Sequence, residues 1–219
     1  MQTRLVIFDL DGTLVDTAPD LCASLNHALA EVGRRQVDAA TVRHLVGHGA
    51  RALIERGLAE TGGMDEALAG RALPAFLAYY ADHIADGSRP FDGAEAAMTA
   101  LAASGVTLAV CTNKPVALAD QLIAALGWSG HFAAVLGGDS IDVRKPDARH
   151  VAATAAAAGH ELAETVFVGD TAVDVDAARN AGVPVVVVAF GFAAGPVAEL
   201  GADAVIEHFD QLTAVLATL

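Results

Sequence analysis

The residues Leu5-Val6-Ile7-Phe8 run without a break into Asp9-Leu10-Asp11-Gly12-Thr13. A short run of branched and aromatic residues, with no polar alternation, suits a strand buried on both faces. Such a strand belongs inside a parallel sheet, and its carboxyl end is where open α/β sheets bind ligands. Side chains alternate along a strand, so Asp9 and Asp11 are expected on the same side of it. Two carboxylates sharing a crevice resist joint ionisation unless a cation lies near. The stretch therefore points to a metal, a nucleophile or both. An Asp-Gly hairpin turn is a plainer reading. An EF-hand loop through Asp9, Asp11 and Asp20 is another, but Leu14 stands where that loop needs its glycine.

Further strand-like runs come at 106–110, 133–136, 166–168 and 185–188, with a weak one at 204–206. Helical patterns at 115–126, 147–158 and 172–181 lie between them. This alternation predicts βαβ units: a doubly wound parallel sheet with helices on both faces. Between the first strand and residue 89 the patterns are all helical. One starts at Thr17 or Asp20, either able to cap it, and ends near Gly33; others span 38–46, 50–61 and 65–86. That is far more than one crossover needs. The expected division is an α/β core of residues 1–15 and 90–219, with residues 16–89 an inserted helical cap. Its joints lie near 15–18 and 86–92, where Asp86-Gly87-Ser88-Arg89-Pro90 reads as a hinge.

A net charge of −14 argues against nucleic acid or an anionic membrane as partner, since both demand a basic face. Cys22 and Cys111 lack metal-ligand spacing and read as reduced, buried and inert, as in a cytoplasmic protein. The acids at 9 and 11 interrupt the N-terminal apolar run, so no signal peptide fits. The uncharged run 181–198 has the length of a membrane span. Pro184, Gly191, Gly195 and Pro196 break it, so it reads as a buried strand and a loop.

Three more polar clusters follow predicted strands. Thr112-Asn113-Lys114-Pro115 precedes a helix, where a hydroxyl, an amide and free helix N–H groups would suit phosphate; a plain helix cap at Thr112 or Asn113 is the alternative. Of thirteen basic residues only Lys114 and Lys145 are lysines. Against an arginine background each retained lysine is informative, because a compact ammonium does what a planar guanidinium does not. Lys145 is the candidate cation for phosphate and carboxylates, while Lys114 reads equally as a surface residue or as one that supports the site from behind its ligands. Finally, Gly169-Asp170-Thr171-Ala172-Val173-Asp174 repeats the opening pattern of strand, then acids.

Taken together these segments resemble the haloacid dehalogenase-type phosphohydrolases of the helical-cap subclass. Asp9 to Thr13, Thr112, Lys145, and Gly169 to Asp174 match that family's four motifs in order. The resemblance implies a Rossmann-like core and Mg²⁺ held by Asp9, the Asp11 backbone carbonyl and Asp170. It implies Asp9 as nucleophile and Asp11 as general acid and base. Thr112, Asn113, Lys145 and the backbone from Leu10 to Gly12 would bind phosphate. Thr13 would fix the turn, and Asp174 would orient a water or Lys145. Gly47-His48-Gly49 and Arg51, with Cys111 to Pro115 and Gly137-Gly138-Asp139, further resemble members that hydrolyse 2-phosphoglycolate. The loop at 47–51 would then read the substrate's carboxylate. Residues 146–149 depart from that pattern. Another small phosphate ester, or a phosphomutase reaction, is the alternative. The expected partner is a small-molecule phosphate ester, and the expected protein a monomer or homodimer.

Overall fold

The computed structural model describes residues 3–219. Strand β1 (Leu5–Phe8) is fully buried and leads into β2 (Val15–Asp16). Four helices follow: α1 (Ala18–Glu31), α2 (Ala39–Leu45), α3 (Ala50–Glu60) and α4 (Glu66–Asp82). The chain returns through β3 (Arg89–Pro90) and α5 (Ala94–Ala103). It then alternates as β4 (Thr107–Cys111), α6 (Val116–Ala125), β5 (Ala134–Leu136), α7 (Ala148–Ala157), β6 (Thr165–Gly169), α8 (Ala172–Ala181) and β7 (Val185–Val188). Strand β8 (Ala204–Ile206) and helix α9 (Leu212–Leu216) end it.

Six strands form one parallel sheet in the order β5-β4-β1-β6-β7-β8. The order reverses at β1, so the crevice at its carboxyl end is a topological switch point. Alternation along the strands divides the interior into two cores. Leu5, Ile7, Phe167, Val185 and Val187 face α7 and α8. Val6, Phe8, Val166, Val168, Val186 and Val188 face the other way, into a core continuous with α5, α9 and the four inserted helices. A one-residue slip of β1 would exchange the two sets.

The two expected joints meet each other. β2 and β3 pair antiparallel, Val15 with Pro90 and Asp16 with Arg89. Helix α4 ends at Asp82, earlier than its predicted end, and turns carry the chain on to Ser88. The expected capping of α1 does not occur. Thr17 is the N-cap residue but makes no side-chain capping bond. The Asp20 carboxylate turns instead to the other joint, accepting from the amides of Gly87 and Ser88 at 2.8 and 2.7 Å. The uncharged run 181–198 contains β7 followed by a loop, and among the described residues no helix is long and apolar enough to cross a membrane. Cys111 is buried as expected, whereas Cys22 is only half-buried.

Candidate active site

Each core strand near the switch point ends in a polar residue, and the parallel register brings those ends together. Asp9 follows β1 and donates its amide to Val168 on β6 at 2.9 Å. Asp170 and Asp174 follow β6, at the start of α8. Asp9, Asp170 and Asp174 are all buried and offer oxygens within 4.8 Å of one another. Lys145, from the loop before α7, enters the same space. Its Nζ lies 2.7 Å from Asp174 Oδ1 and 2.9 Å from Asp9 Oδ1. The contact with Asp9 is an ion pair without a well-directed hydrogen bond, since Asp9 Oδ1 has no hydrogen-bond partner.

Asp174 is the best-compensated of the three acids. Oδ2 accepts from the Thr171 hydroxyl at 2.8 Å and from the amides of Thr171 and Asp170 at 3.0 and 3.2 Å. Burial pushes its carboxyl up, but Lys145 and these donors win and hold it below the usual carboxylate range. Asp170 accepts from the Thr13 hydroxyl at 3.0 Å and the Phe192 amide at 2.7 Å. Burial, then the charges of Asp174 and Asp9, nevertheless push its carboxyl well up. Burial also raises Asp9, to about 6, against the pull of Lys145. Lys145 itself is raised: burial disfavours its charge, but Asp174 and Asp9 outweigh that.

One ammonium thus faces three buried carboxylates, which leaves an excess of negative charge on an all-oxygen donor set. That is the chemistry of a hard divalent cation. Asp9 and Asp170 have more lone pairs to offer it, since each Asp170 oxygen accepts one bond, whereas Asp174 Oδ2 accepts three and its Oδ1 pairs with Lys145. Gly12 closes the turn beside them with φ of 84°. A Cβ there would stand 2.3 Å from Asp170 Oδ2 and 2.7 Å from the Phe192 ring. Only glycine allows the turn and the acid cluster to coexist.

Asp9 and Asp11 do not share a partner, as their expected common side suggested. The strand ends at Phe8, so simple alternation no longer governs Asp11. Its carboxylate accepts from Lys114 Nζ, at 2.8 Å through Oδ1 and 3.0 Å through Oδ2. Lys114 also donates to the Tyr80 hydroxyl on α4 at 2.7 Å, and both residues are buried. Of the two roles considered for Lys114, the surface one is excluded by its burial and the supporting one agrees with its contact to Asp11, and Tyr80 joins the site unannounced by any local motif.

A cleft of about 460 Å³, its mouth included, opens between Asp9, Asp11 and Thr112 on one side and Leu53, Phe76 and Tyr80 on the other. Thr112 is buried there, and its hydroxyl accepts from the Lys114 amide at 3.2 Å. The free N–H groups expected around 112–115 and the helix start are partly taken. Helix α6 begins at Val116, and the Val116 amide is taken by Asp139 Oδ1 at 2.7 Å. Asn113 is likewise committed. Its side-chain nitrogen donates to the carbonyls of Gly47 and Lys145, both at 3.0 Å, while its side-chain oxygen is buried without a hydrogen-bond partner.

Gly47 and Gly49 line the cleft, as Leu10 and Gly12 flank its acids. Arg51 does not reach it. Its guanidinium is half-exposed and paired with Glu55 at 2.8 Å and with Glu66. His48 Nδ1 contacts Arg56 at 3.0 Å instead of facing the acids. Burial and the charges of Arg56 and Arg144 hold its imidazole below the ordinary range.

Residues 6–188 match the family model described as haloacid dehalogenase-like hydrolase. The chain belongs to that family. Among curated relatives, the phosphoglycolate phosphatase of Mesorhizobium japonicum is 46% identical, over 99% of this chain and 96% of that protein. That of Agrobacterium fabrum is 45% identical, over 97% and 91%. The crystal structure of a predicted phosphoglycolate phosphatase from Haemophilus somnus superposes with a TM-score of 0.92 at 31% identity, covering 98% of each chain. This haloacid dehalogenase-like hydrolase is accordingly a phosphatase.

Proposed function

We propose that the protein is a magnesium-dependent phosphatase that hydrolyses 2-phosphoglycolate to glycolate and phosphate through a phospho-aspartate at Asp9. The observation that carries this reading is the setting of Asp9: at the switch point, against Lys145, one edge of a buried acid cluster and open to the cleft. The names of the relatives support the substrate.

Asp9 attacks phosphorus through a carboxylate oxygen as the bond to the leaving alkoxide breaks. Asp11 supplies the proton that the alkoxide needs. In the second half, Asp11 takes a proton from a water attacking phosphorus, and Asp9 leaves as carboxylate. Lys145 and Thr112 would bear on the phosphoryl oxygens, where charge stabilisation is the larger share of catalysis. Asp9, Asp170 and the Asp11 carbonyl would hold Mg²⁺, which supplies the positive charge that lets a phosphate dianion approach these acids. Asp174 keeps Lys145 in place.

The test is phosphate release from 2-phosphoglycolate, with Mg²⁺ and with chelator, by wild type and Asp9→Asn. Wild type should turn over only with the metal, and Asp9→Asn should fall at least about a thousandfold. Substantial turnover by Asp9→Asn would exclude covalent catalysis.

A further inference from the structure

We infer that Lys114, anchored by Tyr80, is the residue that selects substrates bearing an anionic group on the leaving alcohol. The assignment rests on the phosphatase reading above and deepens it. The residue expected to read the carboxylate, Arg51, lies outside the cleft lining and turns to Glu55 and Glu66, whereas Lys114, though it shares its charge with Asp11, lines the cleft itself. Arg56 spends its charge on the Leu45 carbonyl and His48, and Arg43 pairs with Asp16. Among the residues that line the cleft, Lys114 is the one cation.

Its position suits the task. Nζ touches Asp11, the group placed to protonate the leaving oxygen, so an anion bound at Lys114 lies within a few atoms of that oxygen. A short hydroxy acid phosphate has that spacing; a neutral alcohol of the same length offers the ammonium nothing. Leu53 and Phe76 supply low-dielectric walls, which strengthen a charge–charge contact. The Tyr80 hydroxyl, 2.7 Å from Nζ, holds the ammonium from the inserted helices, so both sides of the cleft must meet for the contact to form. The guanidinium of Arg144, exposed near the Gly49 turn, is the rival cation at the mouth.

The measurement is kcat/KM for 2-phosphoglycolate and for ethyl phosphate, its two-carbon counterpart without the carboxylate, in wild type, Lys114→Met, Lys114→Arg, Tyr80→Phe and Arg144→Ala. Wild type should prefer the ester that bears the carboxylate. Lys114→Met should lose roughly ten- to hundredfold of that preference, as expected for one charged hydrogen bond. Lys114→Arg should keep part of it, which a packing role would not produce. Tyr80→Phe should erode it less, mainly through KM, and Arg144→Ala should leave it intact. If Lys114→Met slows both esters equally, Lys114 only positions Asp11 and the assignment is overturned. Loss of the preference in Arg144→Ala instead would overturn it too. A wild type with no preference would remove both this assignment and the 2-phosphoglycolate reading, whereas a preference surviving in Lys114→Met removes the assignment alone.

Discussion

Asp20 and Ser88, 68 residues apart in the chain, share two hydrogen bonds: the Asp20 carboxylate accepts from the Ser88 amide at 2.7 Å and from its hydroxyl at 2.6 Å. A third bond, from the Gly87 amide, completes the lock. Asp20 lies in the first turn of α1 and Ser88 just before β3, so the contact ties the outgoing and returning passages between the sheet and the inserted helices.

Removing that carboxylate strands two amides and a hydroxyl. Asp20→Ala should lower unfolding free energy by about 2–3 kcal/mol, and Ser88→Ala by about 1 kcal/mol. Urea denaturation followed by circular dichroism measures both. Equal midpoints for Asp20→Ala and wild type would show that the lock contributes nothing.

Lys145 stands between two buried acids. Lys145→Met should destabilise the metal-free protein by about 3–5 kcal/mol, because it leaves buried charge uncompensated. Adding Asp174→Asn should restore part of that loss, since the two residues are directly coupled. Strict additivity of the two effects would argue that the pair does not interact.

His150 links acid stability to the same loop. Its Nδ1 accepts from the Lys145 amide at 3.2 Å, and burial, with the Lys145 charge, lowers its imidazole to about 4 from 6.5. Between those values the unfolded chain binds a proton that the folded chain does not, so this contribution to stability declines as pH falls from 6.5 to 4. The decline amounts to about 3 kcal/mol. Asp9, raised to about 6, acts in the opposite direction, so the quantity to follow is the difference between wild type and His150→Asn. That difference should shrink on acidification; a difference constant across the window would refute the linkage.

Gly12→Ala forces a side chain into the left-handed region and onto the Asp170 carboxylate. A loss of about 3 kcal/mol and of nearly all turnover is expected. Gly33→Ala is the control: its φ is 72° but nothing lies within 4 Å of its Cβ, so only about 1 kcal/mol should be lost. Similar costs at the two positions would mean that the crowding at Gly12 relaxes freely.

The amino-acid sequence by itself determined the parallel sheet, the helical run between its first two strands and the four polar clusters at strand ends. These follow from hydrophobic continuity and from the residue types at strand-to-helix turns, both local properties. Only the tertiary structure decided where each polar group goes. Nothing near Lys114 in sequence announces Asp11 or Tyr80; nothing near Asp20 announces Ser88. An amide after a strand is free to bind phosphate, yet the Asn113 side-chain nitrogen donates to the Gly47 and Lys145 carbonyls, which arrive from elsewhere in the chain. The Gly47-His48-Gly49 turn before a helix points Arg51 toward a substrate carboxylate, but Glu55 and Glu66 draw the guanidinium outward. Local chemistry sets which groups can bond. Burial and packing choose among partners, because a buried polar group left without one costs free energy that an exposed group does not.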